Sequence, residues 1–188
     1  MRQQIFEILI KPFYKSNQLN YKNQLSFSTQ IKQMEDIQLR QYSIKSQSSQ
    51  AQAKSITKSG FTVITDMQKK DGGNETGPSP VELLLSALVG CQNIVSRMIA
   101  KNLGFNINEI SFDIVAERDH RGICSQPMIE DAPVSSGLFR IYGTAIVDTD
   151  GTQEQLTQVN EIVKKRSPVA RMIVDSGCKI EIEWKKQE

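Results

Sequence analysis

The segment from Ser79 to Gly104 restricts the possible folds more than any other part of the chain. Ser79 can cap a helix, Pro80 suits the first helical position, and Glu82 completes a capping box with Ser79. From there Leu84, Leu88, Cys91, Val95 and Met98 recur at spacings that place them on one helix face. Leu83–Val89 is apolar nearly all round, so burial on more than one side is expected. Gly104, just past Leu103, is a natural stop. A helix over Pro80–Leu103 would be about 36 Å long, more than a small domain needs, and is expected to cross a dimer core. Its longest apolar run, Leu83–Cys91, is broken only by Ser86 and stops at Gln92 and Asn93, short of the roughly 20 residues that span a bilayer. A buried helix is expected, with no transmembrane span.

The flanks read as strands and further helices. From Ile37 to Asp66 the pattern is weakly β: Ile37 and Leu39, a Ser59-Gly60 turn, then Phe61, Val63 and Thr65 alternating with their neighbours, a meander of two or three strands. The Ser/Gln-rich Ser43–Ala53 is a loop or a polar edge strand. After the long helix, Ile110, Phe112, Ile114 and Ala116 form one strand, and Phe139, Ile141, Gly143, Ala145 and Val147 a second. Thr152 and Gln155 form another capping box, leading a helix striped by Leu156, Val159, Ile162 and Val163. Ser167-Pro168 ends that helix and starts a short one capped by Ser167. A final strand, Lys179–Lys185, turns Ile180, Ile182 and Trp184 inward. This order gives an α+β fold in which an antiparallel sheet packs on a long central helix, not a parallel βαβ fold.

The 188 residues, 38% hydrophobic and 23% charged, suffice for one substantial core and are few for two. Residues 35–188 are assigned to that domain and residues 1–34 to an extension. The formal charge of +2 comes from interspersed signs, which argues against nucleic acid as a partner. In the extension Arg2, Lys11, Lys15, Lys22 and Lys32 meet one acid, Glu7, among several hydroxyls, and Ile5, Phe6, Leu9 and Ile10 pair at helical spacing. Such a leader resembles a mitochondrial transit peptide, the alternative being a tail of biased composition, and places the protein on the matrix side of the mitochondrion.

Few residues offer chemistry. The glycine-rich stretch Gly72–Ser79 has the spacing of a phosphate loop, but Pro78 stands where that motif needs lysine, so its glycines are read as turn formers. His120 is the only histidine and builds no metal site by itself; no metal and no cofactor are expected. The cysteines Cys91, Cys124 and Cys178 are too few and scattered for a disulfide framework, and a reducing compartment fits them best. Cys178 shares parity with the inward residues of its strand and is read as a small core residue, whereas Cys124 lies in a loop where it could be exposed. Cys91, in the middle of the long helix, gains nothing from the helix dipole, and its pattern alone favours a buried structural thiol.

The run Gly77-Pro-Ser-Pro-Val-Glu-Leu-Leu-Leu-Ser-Ala-Leu-Val-Gly-Cys91 resembles the signature of OsmC-like proteins, the family that includes the organic hydroperoxide resistance proteins. The resemblance runs from about Ile37 to Trp184 through Glu117-Arg118-Asp119, the Thr152–Val163 helix and Ser167-Pro168-Val169. It implies an intertwined dimer, of this chain with itself or a similar one, with long helices packed centrally and Cys91 as the peroxidatic cysteine at the subunit boundary. It also implies a second cysteine before Pro-Val, where this chain has Ser167. A serine cannot close a disulfide with a sulfenic acid. The activating arginine that the resemblance implies in the N-terminal strands is missing too: no arginine lies between Arg40 and Arg97, and of the candidate substitutes Lys54, Lys58 and Arg40 the two lysines lack the planar fork. The acid implied beside the site falls at Val81, so Glu82 is explained better as the capping partner of Ser79.

Two functions follow. The favoured one is a degenerate peroxidase scaffold kept as a non-catalytic accessory subunit of a larger mitochondrial assembly. The alternative is a one-cysteine, thiol-dependent hydroperoxide reductase that uses Cys91.

Overall fold

The computed structural model describes residues 38–188. The expected transit-like segment, residues 1–34, lies outside them, as does Ile37. Residues Ile44–Glu188 form one compact unit, which begins with three strands, β1 (Ile44–Ser49), β2 (Gln52–Thr57) and β3 (Thr62–Thr65). Then come helix α1 (Pro80–Asn102), strand β4 (Ile107–Arg118), a short helix α2 (Arg121–Cys124) and strand β5 (Leu138–Thr149). Helices α3 (Gln153–Arg166) and α4 (Pro168–Asp175) and strand β6 (Lys179–Lys186) complete the unit. The α+β class read from the sequence is the observed one.

Strands β1, β2 and β3 make an antiparallel meander. The polar Ser43–Ala53 stretch, read as a loop or edge strand, supplies the edge strand β1 and the start of β2, whereas Leu39 lies in no strand. Every residue of β1 is exposed, and Ile56 of β2 and Phe61, just before β3, also stand open. The second sheet has the order β4-β5-β6. Strands β4 and β5 pair antiparallel, with Phe112 opposite Ala145 and Ala116 opposite Ile141. Strand β6 joins β5 in parallel, with Ile182 beside Gly143 and Trp184 beside Ala145. The sheet is therefore mixed: α3 and α4 carry the chain back before β6 is laid down, and a strand's own pattern does not record its direction.

Helices α1, α3 and α4 cover one face of this sheet. Ile99, Ala100, Leu156, Val159, Val163, Val147, Ile182 and Trp184 fill the larger cluster between the layers. Leu88, Ile141, Ala170, Ile173 and Cys178 fill the smaller one. Phe112 meets Trp184 edge to face at 5.8 Å between ring centres, an arrangement aromatic quadrupoles favour.

Both ends of α1 are built as its sequence indicates. The Ser79 side chain accepts from Glu82 N, and the Glu82 carboxylate accepts from Ser79 N at 2.6 Å. Gly104 follows the C-cap with φ +82°, the left-handed conformation glycine adopts freely. The buried face differs from the expected one. Leu88 is buried and Cys91 and Val95 half-buried, but Leu84 and Met98, expected on the same stripe, are exposed. The residues α1 buries are Leu88, Gln92, Ser96, Ile99 and Ala100. The pattern lies one position round the helix because two polar residues, Gln92 and Ser96, face inward, and an apolar count cannot register them. Burial on more than one side is also not what one chain provides: Ile94 is 61% and Met98 62% exposed. By length and composition alone α1 could cross a membrane, yet its buried residues belong to the core of its own chain.

Candidate functional site

The approach to α1 is organised by Asp66, which is 1% exposed. Its carboxylate accepts from Met67 N at 2.8 Å, Asn74 N at 3.2 Å, Thr76 N at 3.1 Å and Thr76 Oγ1 at 2.6 Å. These bonds, that from the Thr76 hydroxyl foremost, hold its carboxyl below the usual carboxylate range. The loop so gathered is the glycine-rich stretch read as turn formers. A side chain at Gly77 would collide with the Ile64 backbone, so the loop can pass β3 only with glycine there. Asp66 N donates to Pro78 O at 3.1 Å, which fixes the chain immediately before the Ser79 cap. Asp66 had no motif around it in the sequence, because its partners are mostly backbone amides.

Cys91 lies on α1 three residues beyond Leu88 and is half-buried. The thiols of Cys124 and Cys178 have polar neighbours, and that of Cys91 has no hydrogen-bond partner among the described residues. Its neighbour Gln92 is 1% exposed, and Gln92 Oε1 receives no hydrogen bond from the described residues. Ser96, one turn on, is fully buried and donates to Asn93 O at 3.0 Å.

Ser167 is fully buried at the junction of α3 and α4. Its Oγ accepts from Ala170 N at 3.3 Å, capping α4 as the Ser-Pro sequence indicates. Leu88 of α1 shares an apolar cluster with Ala170 and Ile173 of α4. That packing sets α4, the helix that Ser167 caps, against α1 at Leu88. Glu82 belongs elsewhere: nine residues before Cys91, it lies about 13 Å away along the axis and on the opposite face. Its carboxyl is held low by the hydrogen bond from Ser79 N, as a capping-box partner's is.

The possible substitutes for an arginine all lie outside α1. Lys54 is exposed on β2, Lys58 is exposed in the turn before β3, and Arg40 precedes the compact unit. Arg97, on α1 itself, is occupied: it donates to Asn93 Oδ1 at 3.0 Å, to Ile107 O and to Asn108 O. No cluster of three or more metal-ligating side chains occurs among the described residues. Cys178 is buried, and burial pushes its thiol up.

A family model described as OsmC-like protein matches residues 72–183. Solved structures share the fold. An OsmC-like protein from Mycoplasma pneumoniae superposes with a TM-score of 0.64 at 18% identity, over 79% of this chain and 99% of that one. An organic hydroperoxide resistance protein from Legionella pneumophila gives 0.60 at 12% identity, over 79% and 99%. The organic hydroperoxide resistance protein OhrB of Bacillus subtilis gives 0.53 at 16%, over 78% and 98%. No curated protein matches the sequence.

Proposed function

The chain belongs to the family of OsmC-like proteins, and from that premise we propose that it is a dimeric scaffold of this fold whose peroxidase cycle is closed off, serving as an accessory subunit of a larger assembly in the mitochondrial matrix. The observation that carries the reading is Ser167. Its oxygen is fully buried and bound to Ala170 N, so the position serves the start of a helix, and a hydroxyl cannot resolve a sulfenic acid. The basic, acid-poor leader supports the compartment. The open face of α1, with Ile94 and Met98 uncovered, supports a second copy or a similar chain packed there.

The half-exposed Cys91 favours the competing reading, a one-cysteine reductase. There the Cys91 thiolate would attack the O–O bond of an organic hydroperoxide, releasing the alcohol. The resulting sulfenic acid would condense with an external thiol, releasing water, and a second thiol would free the cysteine. The test is peroxide consumption with cumene hydroperoxide and a dithiol. Wild type is expected to consume no faster than Cys91→Ser, and Ser167→Cys is expected to add little. Rapid Cys91-dependent turnover would replace the scaffold reading with the reductase.

A further inference from the structure

The connection between β4 and β5 holds a second thiol, remote in sequence from Cys91. His120 flanks the start of α2 and Cys124 is its last residue, so one turn sets them on the same side. Cys124 Sγ lies 3.9 Å from His120 Nδ1, and both residues are exposed. The turn is held by Cys124 N donating to His120 O at 3.1 Å. It is also pressed against the far end of the same connection, where a side chain at Gly122 would collide with the backbone of Ser135 and Ser136.

The adjacent charges are committed to each other. Asp119 Oδ1 accepts from Arg121 N at 2.9 Å and Arg121 Nε at 3.0 Å, and Oδ2 accepts from Arg121 Nη2 at 2.6 Å. The carboxylate therefore makes its bonds to Arg121, and the imidazole faces the thiol. The other cysteines differ in kind, since Cys178 is buried and Cys91 half-buried on a long helix. An exposed thiol with an imidazole nitrogen in reach has what exchange with a disulfide needs: access, and a base to take its proton.

We propose that His120 and Cys124 form a thiol–disulfide exchange site that accepts low-molecular-weight disulfides of the glutathione type, leaving Cys124 as a mixed disulfide. Nδ1 of His120 takes the Cys124 proton, and the thiolate attacks one sulfur of the small disulfide. That S–S bond breaks as the new one forms, and the departing thiolate takes the proton back from the imidazolium. Cys124 is oxidised to the disulfide level while half of the small molecule is reduced to a thiol.

The site does not depend on Cys91, so the experiment uses the full-length Cys91→Ser protein with glutathione disulfide at neutral pH. Mass spectrometry of the intact chain and its peptides should find one added glutathione, on the Cys124 peptide, with Cys178 unmodified until urea unfolds the protein. Adding His120→Gln should slow the reaction at least about threefold in the folded protein and leave the rate in urea unchanged. Cys124→Ser in the same background should take up none while folded. Modification of Cys178 ahead of Cys124, or a folded-state rate indifferent to His120→Gln, would overturn the proposal.

Discussion

Asp66 shows how one side chain can set the entry to a helix. Four donors converge on it, and they bind only its charged form well. Its carboxyl titrates below the usual range in the folded chain, so its contribution is present in full above the unfolded value, near pH ~4, and is lost as pH falls through the lower folded value. Asp66→Asn should therefore lower the urea midpoint at neutral pH, with the gap from wild type closing as pH drops below about 4. Equal gaps at pH 7 and pH 3 would show that the charge is not what matters. Ser79, Glu82, Thr152 and Ser167 were legible in sequence because caps depend on neighbours at fixed spacing. Asp66 was not, because its partners lie up to ten residues along a loop whose path the sequence does not state.

Between elements, the α3–α4 junction is the test of what Ser167 does. Removing its oxygen leaves Ala170 N–H without its cap partner in a buried position, so Ser167→Ala should cost about 1–2 kcal/mol in chemical denaturation. Ser167→Thr, which keeps a capping oxygen, should recover part of the loss unless its extra methyl is overpacked. An unchanged midpoint in Ser167→Ala would remove the cap as the reason for serine there. In the second layer α1, α3, α4 and strands β4, β5 and β6 were legible from periodicity and caps, whereas the short α2, read as a turn and a loop, carries no side-chain cap and no apolar stripe to announce it. The face that α1 buries was not, because Gln92 and Ser96 are turned inward and a stripe counted from Leu and Met passes over buried polar residues. The parallel entry of β6 was hidden for a different reason, since direction is a property of a pair of strands.

At the scale of the whole molecule, the second sheet has its helices and the first sheet has few contacts beyond its own strands. Phe61 before β3, Ile94 and Met98 on α1, and the whole of polar β1 remain open. An uncovered apolar helix face of this kind is stable in water when a second chain covers it. A charge placed there would have to be buried unpaired at such a contact. On the proposed dimer, Ile94→Glu should shift the full-length protein to monomer in sedimentation velocity while leaving its circular dichroism intact. A wild-type chain that sediments as a monomer would end the dimer reading.

The chain has a single tryptophan, Trp184, and it comes from β6, the strand that enters last and in parallel. The ring is 4% exposed, set against Phe112 from β4 with β5 between them. Its indole N–H has no acceptor among the described residues. The protein therefore carries its own optical gauge of sheet closure. Emission at short wavelength requires β6 to be seated, and exposure of the ring to water moves the emission to the red as soon as that strand leaves, whatever the state of the first sheet.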